Sequence, residues 1–215
     1  NPDLRKWVVE DAVRKLQRNP RLDSISLEPS DGGGWCECEA CARMGSVSDR
    51  VVTLANEVAE AINGLSLEPK YVGIYAYSEH SPPPRIAVHP RVIVSLATSY
   101  IHGGHTIETM IEGWRAQKAT LGIREYHGCF LWNYDLPCYA RGGNIAYLCR
   151  TIPYFRANGA RFMNSESNDS WGANGLGFWL TPQLLWDTNN AGRVDELVED
   201  FLDKAFGQVK APMRE

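Results

Sequence analysis

An α/β fold built on a parallel sheet is what this sequence predicts, and three observations carry the prediction. Short β-type runs alternate with helical patterns of about a dozen residues. One run, Val92 to Ser99, is almost wholly apolar, as in a strand buried on both faces. Polar side chains gather just after the runs, where parallel strands present their chemistry. Five β–α units can be counted. A (β/α)8 barrel needs eight strands and roughly 250 residues, whereas this chain has 215. The expectation is therefore the C-terminal part of a TIM-type barrel, lacking about three strands at its front. An open doubly wound sheet suits the length, but no phosphate-cradling glycine fingerprint follows the first strand.

The elements follow in order. Asp3 to Arg18 reads as an amphipathic helix with Leu4, Trp7, Val8, Ala12 and Leu16 on one face, ended by Pro20. A short strand, Ser24 to Leu27, opens the sheet. Ser46 with Asp49 three residues on is a capping-box signature, and Val51, Leu54, Ala55, Val58, Ile62 and Leu65 mark the helix face that follows. Tyr71 to Tyr77 is the next strand, ahead of a Pro82-Pro83-Pro84 loop, and Val92 to Ser99 the third. After the loop His102-Gly103-Gly104-His105, Ile107 to Ala119 is helical, and Ile123 to Leu131 contains a strand. Ile145 to Ala157 is a helix interrupted at Pro153, Ala160 to Asn164 a fifth strand, and Leu176 to Trp186 and Val194 to Phe206 closing helices. No repeat or low-complexity linker divides the chain, so residues 1–215 are expected to form a single domain.

Composition excludes several classes. Hydrophobic residues make up 44% and charged ones 22%, the balance of a folded globular chain. A net charge of −4 gives no basic surface for nucleic acid or an anionic membrane. No apolar run is long enough to span a bilayer. The chain starts at Asn1 without Met and stops directly after a predicted helix, so it is read as a fragment of a longer protein.

The residues at the expected strand ends are Glu28 and Asp31, then Tyr77, Glu79 and His80, then Ser99 and Tyr100. Later strands add Glu125, Tyr126 and His127, Trp132 and Tyr134, and Glu166, Asn168 and Trp171. Carboxylates can act as acid, base or nucleophile in glycoside cleavage, and aromatic rings suit the apolar faces of sugars. Each residue also has a plainer reading. Asp31 before three glycines can be a turn former, Glu28 a rim salt bridge, and Glu125 the partner of Arg124 or another base. Glu166, ending a buried strand among small polar residues, is the hardest to explain structurally.

Cys36, Cys38 and Cys41 give C-x-C-x-x-C. Three such thiols can converge on a tetrahedral zinc, with a fourth ligand from elsewhere, or two can pair as a disulfide. In either case the cluster is read as a scaffold that pins the loop behind Asp31. Cys129, Cys138 and Cys149 stand alone.

With these residues assembled, the chain resembles a bacterial family known as domain of unknown function 4838. The likeness runs nearly end to end. It rests on Asn1-Pro2, on the strand leading to Asp31 with Cys36, Cys38 and Cys41, and on Tyr75-Ala76-Tyr77 followed by Pro82-Pro83. Glu125-Tyr126 with Gly128, Leu136-Pro137, and Glu166 with Trp171-Gly172 continue it. Leu184 to Asp187, Phe206-Gly207 and Pro212-Met213 close it. Glu125 stands where the family more often has Asp. The resemblance implies a barrel related to α-glucuronidase-type and endo-β-N-acetylglucosaminidase enzymes, and glycosidase chemistry.

The functional expectation is a glycoside hydrolase that cleaves a glycan by carboxylate catalysis at the barrel mouth. Asp31, Glu125 and Glu166 are the catalytic candidates, with Glu28 in reserve. Tyr77, His80, Tyr126, Trp132, Tyr134, Asn168 and Trp171 are expected to line sugar subsites. No cofactor is needed for such chemistry, and a structural zinc at the cysteines is the one metal considered. The protein is expected to be exported to the periplasm or cell exterior. The rival is a non-catalytic carbohydrate-binding module on the same fold.

Overall fold

The strands of the computed structural model run across one sheet in the same order as along the chain. They are β1 (Ser24–Ser26), β2 (Tyr71–Ser78), β3 (Val92–Ile101), β4 (Thr120–Tyr126) and β5 (Ala160–Glu166). The structure describes residues 1–66, 68–129, 140–167 and 170–214. β1 pairs parallel with β2, β2 with β3, and β3 with β4. Among the described residues the order never reverses, so the sheet they form lacks the switch point of a doubly wound fold. No helix of the described residues is long and apolar enough to cross a membrane.

The described chain gathers into two units: residues 1–124 with 160–164, and residues 125–159 with 165–215. The first holds the sheet with α1 (Pro2–Arg18), α2 (Glu39–Arg43), α3 (Val47–Ile62) and α4 (Ile107–Ala116). Asn1 caps α1, its side-chain oxygen accepting from the amides of Asp3 and Leu4. Only Ala12 and Leu16 of the expected apolar face are buried; Leu4 and Trp7 stay exposed. The core lies between the sheet and α3 and α4. Val72, Ile74 and Ala76 meet Val92, Val94 and Leu96, with Val52, Ala55 and Ile62 from α3 and Met110 and Trp114 from α4, each 2% exposed or less. Fully burying one of the larger of these side chains contributes roughly 1.5–3 kcal/mol. β3 alternates buried and half-buried residues, so only one of its faces is sealed, not both as its composition predicts.

The capping box at Ser46 and Asp49 is present, and it does more than start α3. Asp49 Oδ2 accepts from the Ser46 amide and hydroxyl, each at 2.8 Å, while Oδ1 accepts from the Arg85 amide at 2.6 Å. Burial pushes its carboxyl up, but these donors together hold it below the usual carboxylate range. The link from β2 to β3, residues 79–91, contains no helix. There the Pro83 ring packs where a side chain at Gly113 of α4 would stand.

α4 ends three residues before its predicted limit. Lys118 adopts φ 64°, its amide donating to Arg115 O and the next amide to Trp114 O, which turns the chain so that β4 begins at Thr120. β4 also stops at Tyr126, and residues 130–131 of its predicted span lie outside the described residues.

The second unit is helical: α5 (Ile145–Ala157), α6 (Trp171–Trp186) and α7 (Val194–Phe206). α5 continues through Pro153 to its predicted end instead of breaking there. α6 begins five residues before the predicted Leu176. Its glycines discourage a helix by propensity, but the Gly142 carbonyl approaches so closely that no side chain fits at Gly177.

Replacing Asp49 with Ala removes a helix cap and leaves the Arg85 amide unpaired, so stability should fall by about 2–3 kcal/mol. Urea unfolding of the variant and the parent, compared at equal slope, measures the difference.

Candidate functional site

In the first unit, the C-terminal ends of β1, β2 and β3 bring one carboxylate, one imidazole and three aromatic rings together. Glu28 follows β1 and turns its carboxylate onto β2. Its Oε2 accepts from the Tyr75 amide at 2.5 Å, and its Oε1 lies 3.2 Å from His80 Nε2. The Glu28 side chain is 22% exposed and that of His80 only 5%. His80 Nδ1 is buried without a hydrogen-bond partner among the described residues. Trp35 sets its ring edge-on to His80 at 5.8 Å, Tyr77 lies 6.3 Å from the same imidazole, and Tyr100 lies 5.5 Å from Tyr77.

The backbone at this point is held in unusual conformations. Ser78 has φ 49° and Tyr100 φ 56°, and the β2–β3 register shifts between Ala76 and Ser78. Left-handed backbone at a bulky residue is uncommon and tends to mark functional sites. Ser81 locks the turn: its hydroxyl donates to Ser78 O at 2.7 Å and accepts from the His102 amide at 2.8 Å. The Trp114 indole N–H donates to Ser81 O at 2.9 Å.

Glu28 also forms part of the wall of a cavity of about 470 Å3 between α1, β1 and α3, with Trp7, Leu27, Trp35, Lys15 and Arg50. Asp31 is exposed in the adjoining loop and does not line this cavity. Gly32 (φ 111°) and Gly34 (φ 78°) need glycine to make that loop, and a side chain at Gly33 would press on the Glu79 carboxylate.

Beyond the loop, Cys36, Cys38 and Cys41 are unbridged thiols whose sulfurs all lie within 4.8 Å of one another. Cys41 belongs to α2, a helix that the sequence did not reveal, and Cys38 is its N-cap. Hydrogen bonds from the Cys41 amide, then from the Cys36 and Cys41 side chains, lower the Cys38 thiol to about 7, while Cys41, facing the other two sulfurs, is raised. Arg50 Nη1 donates to Cys36 O at 2.7 Å and ties the cluster to α3.

The second unit encloses a different carboxylate. Glu125 is fully buried; Arg141 Nη1 donates to its Oε1 at 2.9 Å, and the Tyr147 hydroxyl reaches both oxygens at 2.9 and 3.2 Å. Arg141 is thus a base that bonds Glu125, and the Arg124 guanidinium sits 5.4 Å over the Tyr75 ring. Burial and the Glu125 charge push the Tyr147 hydroxyl up. His127 is 3% exposed, and burial lowers its pKa. Its Nε2, and both amide atoms of the fully buried Asn174, have no partner among the described residues. Tyr126 is buried as well. Glu166 ends β5 with an exposed side chain, and its carbonyl accepts from the His127 amide at 2.8 Å. Trp171 starts α6, 59% exposed, edge-on to Phe178. Trp132, Tyr134 and Asn168 lie outside the described residues.

Of the predicted residues, the structure therefore brings Glu28, Tyr77 and His80 together, adds Trp35 and Tyr100, and leaves Asp31 in the adjoining loop. Arg141 and Tyr147 are the residues sequence reasoning missed. The available signal was the buried-strand position of Glu125, which demands a cation and donors wherever they lie in sequence.

With this geometry in view, the chain matches the family model described as Domain of unknown function (DUF4838) over residues 1–215, its entire length. It belongs to that family. A comparison with curated proteins finds no match.

Two predictions follow from the second unit. Glu125→Ala removes the buried carboxylate to which both Arg141 and Tyr147 donate and should cost about 3 kcal/mol in denaturant unfolding. His127 resists protonation when folded, so the unfolded chain takes up the extra proton as pH drops below about 6.5. Stability should then fall from pH 7 to pH 5, and fall less in His127→Gln, as read by thermal melts across that range.

Proposed function

We propose that the protein is a glycoside hydrolase and that this chain forms the later part of its (β/α)8 barrel. The sequential strand order and the three parallel pairings support the barrel reading. One observation carries the functional reading: Glu28, fixed by the Tyr75 amide and His80, lines a cavity together with Trp35, and the Tyr77 ring lies beside His80.

The chemistry fits a sugar substrate. An oxocarbenium-like transition state develops positive charge at the anomeric carbon, and a fixed carboxylate beside it stabilises that charge. Glu28 takes this role, because its two oxygens are already oriented and need no rearrangement. His80 orients it, while Trp35 and Tyr77 offer stacking faces to the sugar ring. Asp31, exposed in the loop that follows Glu28, is the candidate for proton transfer. Glu125, sealed by Arg141 and Tyr147, holds structure and does not meet substrate. As part of the same proposal, the protein is exported and meets its glycan outside the cytoplasm.

A second reading, a non-catalytic carbohydrate-binding module, is favoured by one feature: Glu28 already has a partner on each oxygen. A panel of glycans separates the two. If the protein is a hydrolase, it releases sugar, and Glu28→Gln lowers kcat/KM by about 100-fold or more, while Asp31→Asn tests the proton donor and Glu166→Gln tests the remaining carboxylate that the sequence singles out. Binding without release of sugar, retained in all three variants, would establish the module instead.

A further inference from the structure

We infer that Cys36, Cys38 and Cys41 form a zinc site in which the three thiolates hold one Zn2+ and a water completes the tetrahedron. The inference rests on the arrangement of the sulfurs and is independent of whether the protein cleaves glycans.

The three sulfurs are mutually close, within 4.8 Å, and none is committed to a disulfide. With Zn–S bonds of about 2.3 Å in a tetrahedron, thiolate sulfurs stand about 3.8 Å apart. A contraction of about 1 Å or less therefore brings the cluster to bonding geometry, within the reach of small side-chain rotations. A disulfide would use two sulfurs and leave the third idle, whereas one soft ion uses all three.

The backbone is arranged for the same end. Cys38 is the N-cap of α2 and Cys41 lies in its first turn, so one short element carries two of the three sulfurs. No fourth His, Cys, Asp or Glu among the described residues joins the group. Cys36 and Cys38 are exposed, so solvent reaches the fourth position. Three thiolates with Zn2+ leave one net negative charge. Arg50, bonded to the Cys36 carbonyl at 2.7 Å, supplies a cation beside it.

The site would also matter to its neighbours. Trp35 precedes Cys36 directly, and its ring rests 5.8 Å from His80. Closing three cysteines on one ion fixes the far end of the glycine loop, and with it the position of that ring.

The test uses the purified protein, reduced and stripped of metal, then titrated with Zn2+ alone and, separately, with Co2+ as a spectroscopic stand-in. One equivalent of zinc per chain should bind, and Co2+ should give a thiolate charge-transfer band together with the visible bands of a tetrahedral ion. Cys38→Ser should weaken zinc binding by at least about 100-fold, since losing a ligand outweighs the roughly 10–100-fold effect of losing an outer-shell partner. Cys149→Ser, a thiol outside the cluster, should bind as the parent does. Binding of less than one equivalent, equal affinity in Cys38→Ser, or a cobalt spectrum without thiolate character would overturn the assignment. So would thiol titration of the protein as isolated, if it shows two of the three cysteines oxidised to a disulfide, or selective uptake of Cu+ with zinc excluded.

Discussion

The hydrogen bond from the Trp114 indole to the Ser81 carbonyl is the constraint on which the rest of the first unit's site depends. A buried indole N–H must find an acceptor, and Trp114 is 1% exposed within the core under the sheet. Its acceptor is the carbonyl of a residue that is itself fully buried. Ser81 then spends its hydroxyl on two more main-chain groups, Ser78 O and the His102 amide. Left-handed backbone at Ser78 costs about 1–3 kcal/mol, and three hydrogen bonds of about 0.5–1.5 kcal/mol each are enough to offset it. The result is a rigid turn that presents His80 to Glu28. A core requirement thus sets the position of the imidazole that meets Glu28.

Glu28 and Glu125 show how the same side chain is put to different uses. Both follow or end a strand, and both accept hydrogen bonds on each oxygen. Glu125 has lost all its solvent and has a full cation as counter-charge, so breaking the pair would leave a buried carboxylate uncompensated. Glu28 keeps about a fifth of its side chain exposed and is held by an amide and an imidazole. The first arrangement resists change; the second holds a carboxylate still while leaving it reachable. For a group that must meet a ligand, only the second is useful.

Much of the fold was legible because its signals are local. The capping box at Ser46 and Asp49, the α5 boundaries around Ile145 and Ala157, and the β2 and β3 runs all come from neighbouring residues in sequence. The errors fall where a distant partner decides. Gly177 within α6 admits the Gly142 carbonyl, a contact that helix propensity does not foresee, and Trp7 is exposed although its position in the period marks it for a core. The site was less legible for the same reason. Glu28 reads in sequence only as a rim salt bridge, because its actual partner, His80, lies 52 residues away. Arg141 reaches Glu125 from a 3-10 turn that no periodicity announces.

The glycine loop raises a final physical question, which is how Trp35 keeps its place. Gly32 and Gly34 in left-handed backbone make a connection that is easy to bend, and each glycine adds unfolded-state freedom that ordering must overcome. A ring held only from such a loop would not keep a fixed distance to His80. Two anchors answer this. On one side Glu28 is clamped to β2; on the other the Arg50 guanidinium, which also donates to Gly45 O, grips the Cys36 carbonyl. Between these two points the loop spans only seven residues, Pro29 to Trp35. The glycines let the chain turn sharply enough to bring Trp35 back over His80, and the anchors at either end keep it there.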